Sequence, residues 1–205
     1  MTLTEFASDP QVKFKMNMVK IELAKMIDEN YLGVISQYSP MYSRYTTKDI
    51  YKYSFVAGGA IGSLLRQEPV NDLDIFFTDK PFLISIEGIA QDKIFQDHMV
   101  ENTDGSYLET KVAGKLITAN AVTLKNKVQL ITRVYGTPKE ITDTFDYVHC
   151  TPWYDIGTDK LHITPQAYEC IMNKKLVVKN KEAAHKTVLS ARYNKLLDQG
   201  FTDYE

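Results

Sequence analysis

Apolar and polar positions along the chain alternate between helical and extended spacing over short segments. From Gln11 to Glu29, Val12, Met16, Val19, Leu23 and Met26 recur at helical spacing with lysines between them, which predicts an amphipathic helix packed on the outside of the domain. Pro10 stands at its start, and Asn30 with Gly33 supplies a stop. Tyr31 to Tyr53 is polar and tyrosine-rich, is broken at Pro40, and ends in a short helix over Thr47 to Lys52. Then come a strand over Ser54 to Ala57, a helix over Ile61 to Arg66, a loop from Gln67 to Asn71 containing Pro69, and a strand over Leu73 to Phe77. Pro81 to Asp92 reads as a helix, Lys93 to Glu101 has no clear period, and Asn102 to Gly105 is a turn. Gly114 to Leu124 and Lys127 to Thr132 read as strands joined at Lys125-Asn126. Thr137 to Thr144 is a short helix with Thr137 as N-cap and Pro138 at its first position. Phe145 to Cys150 alternates like a strand, and Asp155 to Lys160 turns a hairpin back through Leu161 to Ile163. Thr164-Pro165 opens a helix reaching Asn173, and a last helix, Lys186 to Gln199, closes at Gly200.

This order describes an α/β (α+β) domain: a small mixed sheet with helices mostly on one side, followed by a C-terminal helical piece. At 205 residues the chain is long enough to bury a substantial core. A net charge of -2 argues against coating nucleic acid by bulk charge, while a local basic patch at Lys174, Lys175, Lys179 and Lys181 remains available. A lysine run is usually a solvated face; beside a nucleotide site it also attracts triphosphate or RNA backbone. The two cysteines, Cys150 and Cys170, lack metal-ligand spacing and read as reduced core residues. No apolar run is long enough to span a bilayer and no signal-peptide core is evident, so a cytoplasmic chain without a membrane partner is expected.

The chemistry concentrates between Phe55 and Phe77, FVAGGAIGSLLRQEPVNDLDIFF. Gly58-Gly59 opens the short helix, where glycine permits close backbone approach and unpaired N–H groups suit an anion. Asp72 and Asp74 lie two apart on a strand, so both point to one face, with Leu73 and Ile75 on the other. Oxygen-only carboxylate pairs suit Mg²⁺, which works with substrate phosphates. Each feature alone is ordinary; a glycine pair before a helix is usually a turn, and alternate acids are usually a solvated face. No GxGxxG or Walker lysine motif is present.

Together, GGAIGSLLRQEPVNDLDIFF resembles the head of the DNA polymerase β-like nucleotidyltransferase superfamily. It is most similar to the tRNA CCA-adding and poly(A) polymerase type, whose pattern is roughly GGAVRDLLLGRxPxDIDI, with the spacing from Gly58 to Asp74 kept. The chain as a whole looks like the small nucleotidyltransferases of large bacteriophages, for which the host cytoplasm would be the working compartment. The resemblance implies an N-terminal helix and connector over residues 1–53, a nucleotidyltransferase palm over 54–164 and a neck-like helical segment over 165–205. It implies transfer of a nucleoside monophosphate from an NTP to an acceptor hydroxyl, in an RNA 3′ end (tRNA among them), a protein or a small molecule. Asp72 and Asp74 would hold Mg²⁺ or Mn²⁺, and Gly58 and Gly59 would cradle phosphates.

The likeness extends, less specifically, to other residues. Asp146 falls in a segment similar to RRDFTINA and is a candidate for the nucleotide sugar or for a missing acid; the alternative is a strand-entry cap. TVLSARYNKLLDQGF resembles the CCA-type neck, roughly RILRAARFAARLGF, which makes Arg192 the leading nucleotide contact and Lys195, on the same helix face, the second. Ser63 either offers a hydroxyl to a phosphate or simply sits in the helix. Trp153 and Tyr154 are candidates for base stacking or for packing, and His149 reads as a core histidine. Two departures stand out. Gly62-Ser63 replaces the Arg-Asp of the relatives. Gln129 stands where they carry a third carboxylate, and an amide cannot act as a base. The alternative to an enzyme is therefore a nucleotide-binding sensor or interaction protein with reduced or lost catalysis.

Overall fold

A computed structural model describes residues 3–32, 46–101, 107–109, 117–124, 127–188 and 191–203. Helix α1 (Leu3–Ser8) leads into α2 (Pro10–Ile27), whose N-terminus is capped by Asp9: its carboxylate accepts the N–H groups of Gln11 and Val12 at 2.7 and 3.2 Å. The helix does not stop at Asn30. It passes into a π-helical turn, Asp28–Leu32, which carries Tyr31 into the core, where its hydroxyl shares a 3.0 Å hydrogen bond with Ser54. Most of the tyrosine-rich connector lies outside the described residues.

Helix α3 (Thr47–Tyr53) runs into β1 (Ser54–Ala57), followed by α4 (Gly59–Leu65) and β2 (Leu73–Phe77). Helix α5 (Lys80–His98) continues six residues past the expected end at Asp92, in a stretch with no Pro or Gly to break it. Strand β3 (Met99–Glu101) pairs with β4 (Tyr107–Glu109), while the expected turn at Asn102 to Gly105 lies outside the described residues. Of the expected strand Gly114 to Leu124, residues 114–116 lie outside the described residues, and β5 covers Ala121–Thr123. A tight turn, in which the Thr118 N–H donates to the Ala121 carbonyl at 3.0 Å, precedes it. The turn expected at Lys125-Asn126 is not among the described residues, and β6 (Val128–Ile131) follows.

Helix α6 (Pro138–Asp143) is capped as its sequence suggests, with the Thr137 N–H donating to the Glu140 carboxylate at 2.8 Å. Phe145 to Cys150 is not a strand. Tyr147 makes a single bridge to Val178, and Val148–Cys150 is one turn of 3₁₀ helix. The cause is local. The Asp146 carboxylate accepts the Tyr147 N–H, and the Asp146 carbonyl accepts the N–H groups of Lys179 and Asn180, so this backbone is tied to the C-terminal segment instead of the sheet. Its place is taken by β7 (Trp153–Asp155), paired with β8 (Lys160–His162). Then follow α7 (Pro165–Met172), β9 (Lys175–Leu176), α8 (Lys181–Val188), α9 (Ala191–Asp198) and β10 (Thr202–Asp203), which pairs with β9. The last helix expected over Lys186 to Gln199 falls on α8 and α9, and the residues that join them, 189–190, lie outside the described residues. Lys174 and Lys179 of the basic run form ion pairs with Glu68 and Asp143 at 2.8 and 3.0 Å.

The six-stranded sheet has the order β5-β6-β2-β1-β7-β8; β2 and β6 are parallel and the other pairs antiparallel. One face carries Val56, Leu73, Ile75, Phe77, Val128 and Leu130 into the main core, under Leu23 and Ile27 of α2, Ile61 and Leu65 of α4, and Phe82 and Ile86 of α5. On the other face, Phe55, Ala57 and Phe76 are covered by Ile141 in a smaller cluster. Beyond this cover, the polar positions of β2 and β6 open onto a cleft. Leu23 is wholly buried and Ile21 is 53% exposed on the same helix. Leu23→Ala is therefore expected to cost about 2–5 kcal/mol in denaturant unfolding, and Ile21→Ala no more than about 0.5 kcal/mol.

Candidate functional site

The site is built where β1 turns into α4. Gly58 has φ +95°, a conformation that favours glycine, and a Cβ placed there would stand 3.0 Å from Asp74 Oδ2. The backbone corner therefore fits directly against one carboxylate. Gly59, by contrast, faces open space, with nothing within 4 Å of an added Cβ. Asp72 precedes β2 and Asp74 lies within it. Because Leu73, Ile75 and Phe77 are buried in the main core, the alternation of the strand turns Asp74 toward the opposite, open face. Gln129 of β6 is in register beside Asp74, and its amide nitrogen lies 3.5 Å from Asp72 Oδ2.

These residues line one cleft of about 370 Å³, together with Ser63, Arg192 and Lys195. Arg66, Phe145, His149 and Cys150 also face it, as do Leu196, Gln199 and Phe201. One wall is α4, the floor is the sheet with the 3₁₀ turn, and the other wall is α9. Burial, with the charge of Asp72 beside it, pushes the Asp74 carboxyl up to about 7, against the opposing pull of Arg192 and Lys195. Two co-facial carboxylates and a neighbouring amide form an oxygen donor set suited to a hard divalent cation such as Mg²⁺ or Mn²⁺, with coordination left for substrate oxygens. The fit is to a two-carboxylate site: among the described residues no three His, Cys, Asp or Glu side chains converge as a metal cluster.

Asp146 is placed elsewhere. It is 4% exposed, behind the cleft wall, and its carboxylate accepts from the Thr187 hydroxyl at 2.7 Å and from Arg192 Nη2 at 3.3 Å. It positions the arginine and ties α8 to the segment that leads into the 3₁₀ turn. Trp153 and Tyr154 do not line the cleft either. Trp153 stacks flat on His162 with ring centres 3.7 Å apart, and Tyr154 donates its hydroxyl to Asp159 at 2.8 Å. Arg66 reaches the cleft one turn beyond Gly62, where a Cβ would stand 3.3 Å from its Nη1. Its guanidinium is held by Glu68 at 2.7 Å, and hydrogen bonds from Arg66 and Lys174 draw the Glu68 carboxyl down to about 2. His149 and Cys150 belong to the cleft because the chain there turns instead of extending. Burial pushes the imidazole down to about 4 and the thiol up to about 12. The helical spacing from Gly59 through Ser63 to Arg66 was the available signal for Arg66; the alternation of Phe145 to Cys150 concealed the histidine and cysteine.

A sequence model of the Gabija anti-defense 2 family matches residues 23–174. The chain belongs to the Gabija anti-defense 2 family. The matched span includes every sheet-side residue of this family member's cleft and ends before α8 and α9. No curated protein sequence matches the chain. Among solved structures, the Bacillus stearothermophilus CCA-adding enzyme in complex with CTP aligns at TM-score 0.51 and 15% identity over 86% of this chain and 40% of that one. The Thermotoga maritima CCA-adding enzyme complexed with tRNA aligns at TM-score 0.48 and 12% identity over 83% and 42%. The chain thus spans about two fifths of the structures it matches. At this identity the B. stearothermophilus likeness establishes a shared fold: this Gabija anti-defense 2 family member has the nucleotidyltransferase-like fold of CCA-adding enzyme heads. No helix among its described residues is long and apolar enough to cross a membrane.

Two outcomes follow from the corner and its carboxylate. Gly58→Ala, which places a Cβ against Asp74 in a disfavoured backbone region, is expected to lose about 1–3 kcal/mol in denaturant unfolding. The folded state holds Asp74's proton up to about 7, above the 3.8 of an ordinary aspartate. Stability without divalent cation is therefore present in full below the ordinary value and is lost as pH rises through about 7. Asp74→Asn removes that loss. In metal-free thermal melts the variant is expected to exceed wild type at pH 8, with the gap closing by about pH 4.

Proposed function

We propose that this protein transfers a nucleoside monophosphate from an NTP to an acceptor hydroxyl, with release of pyrophosphate. The carrying observation is that Asp72 and Asp74, the Gly58 corner, Arg192 and Lys195 share one cleft. In this reading Asp72 and Asp74 would hold the cation, with the Gln129 amide N–H directed at Asp72 beside them. When bound, a divalent cation neutralises phosphate charge and lowers the pKa of an acceptor hydroxyl. The chain's own groups supply the frame. Arg192 and Lys195 neutralise the polyphosphate from the helical wall, and backbone N–H groups at Gly58 and Gly59 face its oxygens, with the Ser63 hydroxyl one turn further along. Asp74, whose carboxyl is pushed up to about 7 by burial and by Asp72, would have to be deprotonated to hold a cation. In the transfer the acceptor oxygen forms a bond to the α-phosphorus, the bond from that phosphorus to the bridging oxygen breaks, pyrophosphate leaves, and the hydroxyl proton passes to solvent.

The acceptor is an RNA 3′ end or a protein. The family description, Gabija anti-defense, makes a component of that defence the first acceptor to test. A second reading is favoured by Gln129. A chain with an amide at the third position binds nucleotide as a sensor and turns over little or not at all.

Calorimetry with each NTP and Mg²⁺, followed by label transfer from the NTP in a lysate containing the Gabija proteins, separates the readings. The expected result is a labelled macromolecule with matching pyrophosphate release. Asp72→Asn combined with Asp74→Asn is expected to lower labelling at least a hundredfold, by loss of phosphate-charge stabilisation. Normal labelling by that double variant would remove the metal assignment, and binding without label or pyrophosphate would leave the sensor.

A further inference from the structure

One side chain in the cleft wall is chemically incomplete. His149 is 5% exposed, and its Nδ1 has no hydrogen-bond partner among the described residues. Buried polar atoms are normally paired; this one is closed to solvent although its side chain lines the cleft, so a ligand would supply the partner once the imidazole turns toward it. Its other ring nitrogen is engaged: Nε2 lies 3.2 Å from Cys150 Sγ. The same sulfur lies 3.4 Å from Arg192 Nη2. The imidazole is packed against Phe201, ring centres 4.5 Å apart, and Tyr147, 5.8 Å apart.

The donors around the sulfur favour one tautomer: Sγ can accept from both neighbours, but its own hydrogen is used only if it is given to Nε2. A guanidinium only donates, so Cys150 Sγ accepts from Arg192. The thiol, kept protonated by burial, then has its own hydrogen to give to Nε2. A neutral imidazole that accepts at Nε2 carries its proton on Nδ1. In that tautomer the unmet atom is a donor, and its partner is an acceptor atom instead of a metal ion. Arg192 takes part at both ends, since it faces the cleft and sets the hydrogen-bond direction behind it.

We propose that His149 is a nucleotide contact, donating from Nδ1 to an acceptor atom of the bound NTP, a base carbonyl or ring nitrogen or a phosphate oxygen. This rests on the nucleotide reading given above. A site that offers a buried donor discriminates strongly against ligands that leave it unpaired.

The test uses the full chain, calorimetry with the four NTPs and with inorganic triphosphate in Mg²⁺, and three variants checked first by thermal melts. His149→Phe keeps the ring and loses the donor; it is expected to weaken the preferred NTP by about tenfold or more. His149→Asn places an amide near Nδ1 and is expected to restore binding to within about threefold, whereas His149→Gln places its amide near Nε2 and stays as weak as the Phe variant. Loss confined to NTPs of one base identifies a base acceptor, and equal loss for inorganic triphosphate identifies a phosphate oxygen; both uphold the contact. Wild-type binding that is unchanged in His149→Phe overturns it, as does rescue by Gln but not Asn, which would mean that His149 acts only through Cys150. Should a variant not fold, nitrogen NMR of the wild-type imidazole decides: Nδ1–H is expected, and an Nε2–H tautomer overturns the proposal. A wild type that binds no nucleotide overturns the nucleotide reading itself, a result distinct from tight binding that ignores His149.

Discussion

The structure depends on the alternation of a single strand. In β2, Leu73, Ile75 and Phe77 are essentially absent from the surface, and together they close the main core under α2, α4 and α5. A slip of one residue would place Asp74 in that core and the apolar side chains in the cleft, so the register is enforced by the whole hydrophobic energy of the face. The carboxylate geometry is thus a by-product of packing. The same logic runs through β6, where Val128 and Leu130 are buried and Gln129, between them, is set beside Asp74. The Gly58 corner completes the constraint, because only a residue without Cβ leaves Asp74 Oδ2 its space.

The opposite wall has a different origin. Helix α9 is held by Asp146, which bonds Arg192, and by Leu196, buried with Tyr147, Leu176, Ala184 and Phe201. That buried carboxylate ties together Thr187 of α8, Arg192 of α9 and the Tyr147 N–H. A buried acid with a guanidinium, a hydroxyl and a backbone donor around it is satisfied, whereas an unpaired one would be strongly unfavourable. Arg192, with a side chain 55% exposed, spans from this anchor to the cleft. The residue that resembled a sugar contact in the sequence is therefore a strut for the cationic wall.

Much of this was legible in the residues, and the failures have physical causes. Ser54 to Ala57 and Leu73 to Phe77 were read to the residue because short buried strands bounded by glycine, proline and asparagine leave little choice. The α2 helix was legible from its stripe, but its end was not. Tyr31 continues the stripe, and its burial with a hydrogen bond to Ser54 outweighs the local stop signal. Phe145 to Cys150 misled because alternation is silent about where backbone hydrogen bonds go. The Asp146 side chain and the segment at Lys179 compete successfully with the sheet. That one error hid His149 and Cys150 from the cleft, although Asp72, Asp74 and Arg192 were already in view.

The charge pattern across the cleft links these points. The sheet side is acidic and crowded enough to hold Asp74 protonated to about 7, while the α9 side carries Arg192 and Lys195. The two sides do not neutralise one another by contact: the arginine is committed to Asp146 and the sulfur of Cys150, and Asp72 meets the amide of Gln129. The proposed ligand, a divalent cation bridged to phosphate oxygens, would present positive charge to the acids and negative charge to the helix. A third acid at position 129 would add repulsion on the sheet side and raise the proton affinity of Asp74 further. The neutral amide relieves that strain in the metal-free protein at the expense of one strong ligand. Under the proposed function, an amide at this position would make cation binding depend more heavily on the oxygens that a polyphosphate brings with it.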